Sequence, residues 1–206
     1  MNSVFPLIET IAIRDGQIQN LAYHQRRYEQ GVQFLKSSSS YKFKQLAEVI
    51  DIPSEFLTGL VRCRVDYNAD EMTVAFYPYQ ARKISSFKIV EQNDIDYRYK
   101  YADRNALNEL VSQKQDCDDI IIIKNQYVTD SSIANLLFLK NGIWYTPHQP
   151  LLQGTQRAKL LDEQKIISQE ISISQIFDYE KIMFINALNE FDEQRAIHIT
   201  PKSIVF

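Results

Sequence analysis

Residues 95–110 read IDYRYKYADRNALNEL, and the rest of the chain is organised around them. Tyrosines at 97, 99 and 101 alternate with Arg98 and Lys100, the period of an extended segment with one buried face. From Asp103 the period changes. Ala106, Leu107 and Leu110 fall on one side of a helix over 103–111. Lys100 therefore stands where an aromatic-alternating strand gives way to a helix. A lone lysine between tyrosines is usually the solvated side of an edge strand, so its meaning depends on what lies before and after it.

Upstream, 7–13 (LIETIAI) reads as a strand, and Asp15-Gly16 after it suits a type I′ hairpin turn, where both central residues take positive φ. A returning strand over 18–22 and an amphipathic helix over 24–35, striped by Tyr28, Val32 and Leu35, follow. The serines at 37–40 form a polar loop. Phe43, Leu46, Ala47 and Ile50 make a second helical stripe closed by Pro53. LVRCRVDY at 60–67 alternates as a half-buried strand does, and 72–77 returns beside it. A boundary falls within 79–86, giving domains 1–86 and 87–206, with Lys100 in the second.

Downstream, 87–90 is a short strand and DIIII at 119–123 a fully buried one. Asn125-Gln126 turns the chain into 127–130. Strands 136–139 and 143–146 flank Asn141-Gly142, a hairpin signal. Gly154 opens a helix rich in Ala158, Leu160, Leu161 and Ile166. A short helix around Ile176, a strand over 182–185 and a tail strand near Pro201 complete the chain. Hairpins rather than alternating βαβ units make this an α+β pattern and exclude a doubly wound dinucleotide fold. GxGxxG, P-loop, HExxH and GxSxG motifs are absent from the sequence.

Composition narrows the function. A length of 206 residues allows one large domain or two small ones. A net charge of −3 without a basic stripe excludes a general nucleic-acid binder. The first residues hold no basic segment before an apolar run, and no apolar run approaches the ~20 residues a membrane span needs. Cys63 and Cys117 fit no metal or redox spacing, and His24, His148 and His198 fit no metal spacing. A cytoplasmic protein with no metal, membrane or nucleic-acid partner is expected.

Three segments together carry a resemblance. They are YKYADRNAL at 99–107, DIIIIKNQYVTDSSIAN at 119–135, and WYTP at 144–147 running on to Leu151-Leu152-Gln153-Gly154-Thr155-Gln156-Arg157. With His24-Gln25-Arg26-Arg27-Tyr28 upstream, their order and spacing resemble the class-IV aminotransferases. These are the fold-type-IV pyridoxal-phosphate enzymes, which include D-amino-acid and branched-chain aminotransferases and 4-amino-4-deoxychorismate lyase. The resemblance implies two small α/β domains with pyridoxal 5′-phosphate between them, in a homodimer acting on a small amino-acid-like substrate. It implies that Lys100 forms the Schiff base and then moves protons at Cα and C4′. Arg27 would hold the cofactor phosphate, with backbone N–H groups of Gly154, Thr155 and Gln156 at a helix start. Asn186 and Ala187 match the family's last phosphate-side turn. Asp130 falls where the family has a glutamate facing the pyridine nitrogen, one methylene longer.

Bland readings stand beside these. Asp130 also suits a turn or cap before Ser131-Ser132, and Gly154 a plain loop glycine. Arg104, read as one turn after Lys100 on the same helix face, could reach the cofactor or pair with Asp103 or Glu109. Arg62 and Arg64, two apart on one strand, could hold a substrate carboxylate or form an outer ion ladder. Phe5-Pro6-Leu7-Ile8 replaces the family's N-terminal turn, and the loop at 68–70 is short for the family, so a more open site is expected. The size and the YKYADR form look most like 4-amino-4-deoxychorismate lyase, releasing 4-aminobenzoate and pyruvate. The alternatives are a D-amino-acid or branched-chain aminotransferase and a non-catalytic homologue that keeps the fold.

Overall fold

The computed structural model describes residues 4–36 and 42–206. The serine loop at 37–40 therefore lies outside the described residues. The chain divides into two compact units. One comprises Met1–Ala81 with Tyr99–Asp103, and the other Arg82–Arg98 with Arg104–Phe206.

The first unit is built on a four-stranded antiparallel sheet. Its elements are β1 (Leu7–Arg14), β2 (Gln17–Ile18), helices α1 (Leu21–Leu35) and α2 (Leu46–Val49), β3 (Leu60–Tyr67) and β4 (Met72–Pro78). The sheet order is β2-β1-β3-β4. The expected Asp-Gly turn is there, with φ of 48° at Asp15 and 74° at Gly16. The returning strand is shorter than expected. Asn20 takes a left-handed conformation and α1 begins at Leu21, because an αL residue breaks strand geometry and frees the following N–H groups for helix. β3 alternates as read, burying Val61, Cys63, Val65 and Tyr67. They pack with Leu7, Ile11 and Ile13 of β1 and with Tyr28 and Val32 of α1. Of the expected second helix only the turn 46–49 forms.

The second unit contains β5 (Phe87–Glu91), α3 (Asn105–Val111), β6 (Asp119–Lys124), β7 (Tyr127–Ser131), β8 (Asn135–Lys140), β9 (Ile143–Pro147), α4 (Thr155–Asp162), β10 (Ile167–Gln169), β11 (Lys181–Ile185), β12 (Ile197–His198) and β13 (Ile204–Val205). The sheet runs β10-β9-β8-β7-β6-β5-β13, and β11 pairs with both β8 and β12. β5 and β6 are parallel, joined through α3, so one βαβ-like crossover exists where only hairpins were expected. The other expected hairpins form: Asn125 and Gln126 have φ of 51° and 71°, and Asn141 and Gly142 have 52° and 75°. α4 ends at Asp162, so Ile166 belongs to a core cluster with Trp144 and Leu160 rather than to the helix. β10, parallel to β9, was not anticipated. Its three residues carry too short a pattern to read. β7 and β8 share a single register pair, Asp130 opposite Asn135.

The chain passes from the first unit to the second at 81/82. The assignment of Lys100 to the second domain is corrected. The segment 99–103 returns to the first unit, because its backbone pairs with the start of β1. Ile8 N donates to Lys100 O at 2.9 Å and Ala102 N to Pro6 O at 2.8 Å, and Leu7 bridges Tyr101. Among the described residues no helix is long and apolar enough to cross a membrane.

Candidate active site

In the first unit the candidate residue Arg27 and its neighbour His24 gather around Glu9. Its position on β1 is forced by alternation, since Leu7, Glu9, Ile11 and Ile13 share the face that packs against α1. Glu9 is fully buried. Arg27 reaches it from α1 with two parallel bonds, Nε to Oε1 at 2.7 Å and Nη2 to Oε2 at 2.6 Å. His24, one turn earlier on α1, places Nδ1 2.6 Å from Oε2. Burial alone would raise the Glu9 carboxyl. The Arg27 charge and the hydrogen bonds from Arg27 and His24 outweigh that and hold it at about 2. Burial lowers His24 below its ordinary value against the pull of Glu9, and the charges of Arg27 and Lys100 push the same way. Lys100 is thus near enough for its charge to be felt at His24. The lysine's backbone is pinned to β1, while its neighbours Tyr99 and Tyr101 pack on the unit's core, Tyr99 stacking on Phe34 at 4.0 Å.

Arg62 and Arg64 sit on the opposite face of β3. Arg64 is clamped by Asp66, with bonds of 2.6 Å from Nε and Nη2. Arg62 lies over the Tyr77 ring at 4.7 Å, and its buried Nε has no hydrogen-bond partner. The two arginines have different partners.

In the second unit Asp130 lies at the end of β7, 5% exposed. Its Oδ1 accepts from Asn135 Nδ2 at 2.8 Å and its Oδ2 from the Leu152 backbone N–H at 2.9 Å. It makes no ion pair among the described residues. Burial pushes its carboxyl up to about 7, although the Leu152 and Asn135 bonds and the charge of Arg157 pull it down. This buried acid is held by neutral donors. The turn reading is set aside, since the bonds it accepts are from 135 and 152.

Gly154 precedes α4 with ordinary backbone angles (φ −69°, ψ 143°), so conformational freedom does not explain the glycine. A Cβ there would collide with Asn135 Oδ1. Thr155, Gln156 and Arg157 form the buried first turn of α4. Arg157 anchors that turn to β9 and β10, donating to Pro147 O at 2.9 Å, Gln153 Oε1 at 3.1 Å, Thr146 Oγ1 at 3.3 Å and Ser168 Oγ at 3.4 Å. Thr146 also donates to Leu136 O at 3.1 Å, which accounts for the Thr-Pro and Gly-x-x-Arg elements. Asn186 shapes the turn after β11. Its Oδ1 accepts from the backbone N–H groups of Leu188 and Asn189, both at 2.9 Å, so Ala187 sits inside an Asx turn. Its Nδ2 donates to Ile133 O at 3.2 Å.

Arg104 precedes α3, which starts at Asn105, so it does not share a helix face with Lys100. It donates to Ser132 O at 2.8 Å and to Tyr97 Oη at 3.4 Å. Two contributors escaped the sequence reading, Glu9 and Asn135. A buried-face acid on β1 and an asparagine five residues after an acid were the available signals.

The family profile described as amino-transferase class IV matches residues 6–191. An uncharacterised Haemophilus influenzae protein is 43% identical over 90% of this chain and 99% of its own length. The crystal structure of a provisionally named 4-amino-4-deoxychorismate lyase from Haemophilus somnus superposes with a TM-score of 0.87 at 44% identity, over 91% of this chain and 98% of that one. A hypothetical aminotransferase from Mycobacterium tuberculosis in its PLP-bound form shares the fold, with a TM-score of 0.78 at 14% identity over 98% of this chain and 81% of that one. The chain belongs to the class-IV aminotransferase family. Family members are pyridoxal-phosphate-dependent aminotransferases and lyases, and this chain is an enzyme of that kind.

Proposed function

We propose that the protein is a pyridoxal-phosphate enzyme of the 4-amino-4-deoxychorismate lyase type, releasing 4-aminobenzoate and pyruvate. The observation that carries the choice of reaction is the 44% identity, over nearly the whole of both chains, to the provisionally named Haemophilus somnus lyase. Three features support the cofactor reading: Asp130 is a buried acid held by neutral donors and suited to a cationic ring nitrogen, α4 opens with a buried first turn, a place where helices hold anions, and Arg27 has a guanidinium oriented by Glu9.

In this reading Lys100 is the catalytic residue and the covalent anchor. Asp130 faces the ring nitrogen, and Arg27, the turn Gly154-Thr155-Gln156 and the turn Asn186-Ala187 hold the phosphate. When bound, pyridoxal phosphate supplies an electron sink conjugated to the substrate amino group. The Lys100 amine would take the proton from Cα, and the Cβ–O bond would break with its electron pair on oxygen, releasing enolpyruvate that is protonated at carbon to give pyruvate. Asp130 would be kept anionic by the protonated ring nitrogen it faces and would in turn hold that proton in place. D-amino-acid and branched-chain transamination are the alternatives, since they need the same lysine. The active form is a homodimer in this reading.

The test is an absorbance scan of the full chain with added pyridoxal phosphate, before and after borohydride, with peptide mapping and then product analysis. A visible band that reduction fixes onto Lys100, absent in Lys100→Ala, is the expected result, with 4-aminobenzoate formed from aminodeoxychorismate. A label scattered over surface lysines defeats the enzyme reading. A Lys100 label with turnover only of D- or branched-chain amino acids replaces the lyase by an aminotransferase.

A further inference from the structure

We propose that Asn135 is a positioning residue whose side-chain amide ties the Asp130 carboxylate to the turn that opens α4, so that the ring-nitrogen acid and the phosphate-side helix start are set as one piece. This rests on the roles given above to Asp130 and to residues 154–156. The geometry is complete on both sides of the amide. Nδ2 has two hydrogens, and both are used, one on Asp130 Oδ1 at 2.8 Å and one on Leu152 O at 2.9 Å. Leu152 in turn donates its N–H to Asp130 Oδ2 at 2.9 Å, so the acid, the amide and the chain just before Gly154 close a ring of hydrogen bonds. On the other side, Asn135 Oδ1 occupies the space a side chain at 154 would need. A flipped amide would set its oxygen against two acceptors. The amide therefore has one orientation, and the glycine is the counterpart of that orientation.

The backbone adds a second reason. Asp130 and Asn135 are the single register pair between β7 and β8, and β8 continues along β9 and β11 instead. Strand pairing alone leaves the acid weakly fixed at the point where the sheet diverges. The groups that face Asp130 are Asn135 from β8, the Leu151 and Leu152 N–H groups from the loop before α4, and Arg157 from α4. Asn135 is the side chain among them that donates directly. Losing its donated bond makes the anion harder to hold in a buried place.

The test uses the full chain freed of cofactor. Pyridoxal phosphate affinity is titrated from about pH 5.5 to about pH 9, a span that brackets the raised acid. The proteins compared are the wild type, Asn135→Ala, Asn135→Ser, Gly154→Ala, the Asn135→Ala/Gly154→Ala double variant and Asp130→Asn, with thermal unfolding of each. Wild-type affinity is expected to fall on the acid side of a limb near neutrality that Asp130→Asn lacks. In Asn135→Ala the limb moves up by about one pH unit, which is about tenfold weaker binding near neutral pH. Asn135→Ser, which keeps one donor, restores the limb. Gly154→Ala binds poorly at every pH, and the double variant binds more tightly than Gly154→Ala because the collision is gone. An unmoved limb in both Asn135 variants, or a double variant no better than Gly154→Ala, overturns the proposal while leaving Asp130 in its role. An unchanged limb in Asp130→Asn overturns the underlying reading instead. If Asn135→Ala does not fold, the serine variant and the Gly154 comparison in its background decide the matter.

Discussion

Glu9 is the residue through which β1 controls α1. It is fully buried and meets the part-buried Arg27 guanidinium with two charge-assisted bonds. Replacing one partner of such a pair leaves the other charge buried and unmatched. Glu9→Gln should therefore lower stability near neutral pH by about 3 kcal/mol, read by urea denaturation, and weaken cofactor binding because Arg27 loses its fixed orientation. A change below about 0.5 kcal/mol would mean that Arg27 reaches water at little cost. The sequence displays Glu9, His24 and Arg27 as letters 15 and 18 positions apart, and nothing local announces that one carboxylate serves both side chains. Lys100 and Asp130 are legible through their motif neighbours. Asn135 is legible only in order, because its work is steric on one side and polar on the other.

At the scale of elements, α1 owes its seat to a glycine. Gly31 faces β3, and a Cβ there would run into the Tyr67 hydroxyl and crowd Leu7. Tyr67 is itself held edge-on by Tyr28 at 5.0 Å, and burial raises its hydroxyl pKa, so it remains a neutral group. Gly31→Ala should gain helix propensity yet destabilise the protein by about 1–3 kcal/mol, since overpacking outweighs propensity; a raised unfolding temperature would contradict this. Hairpins were the most legible elements, because Asp15-Gly16, Asn125-Gln126 and Asn141-Gly142 announce positive φ directly. Helix starts were less so. Asn20 ends β2 early by adopting αL, and α3 begins two residues later than its apolar stripe suggests. Short parallel pairs such as β10 with β9 carry no turn signal and too few residues for periodicity.

For the whole molecule, buried titrations oppose one another. The Glu9 carboxyl is lowered from 4.5 to about 2 on folding and His24 is lowered from 6.5. Their stabilisation is complete above those unfolded values and is lost as the pH falls. Asp130 is raised from 3.8 to about 7, so its contribution is complete below 3.8 and is lost as the pH climbs through 7. The cofactor-free protein should therefore lose about 4 kcal/mol between about pH 4 and about pH 8 relative to Asp130→Asn, because the carboxyl holds its proton over a pH range of about three in the folded chain that it gives up in the unfolded one. Paired denaturation curves at those two pH values check it, and parallel behaviour of the two proteins would refute it.

The route of the chain has a hereditary consequence. It leaves the first unit at Ala81, comes back for Tyr99–Asp103, and departs again at Arg104. A single genetic crossover near residue 81 would graft on a first unit lacking its own lysine-bearing segment, and the incoming segment would have to match a foreign β1 at Pro6 and Ile8. Shuffling of halves, which builds many two-unit proteins, is thereby penalised here. A recombinant that keeps the fold would therefore have to exchange 1–81 and 99–103 together.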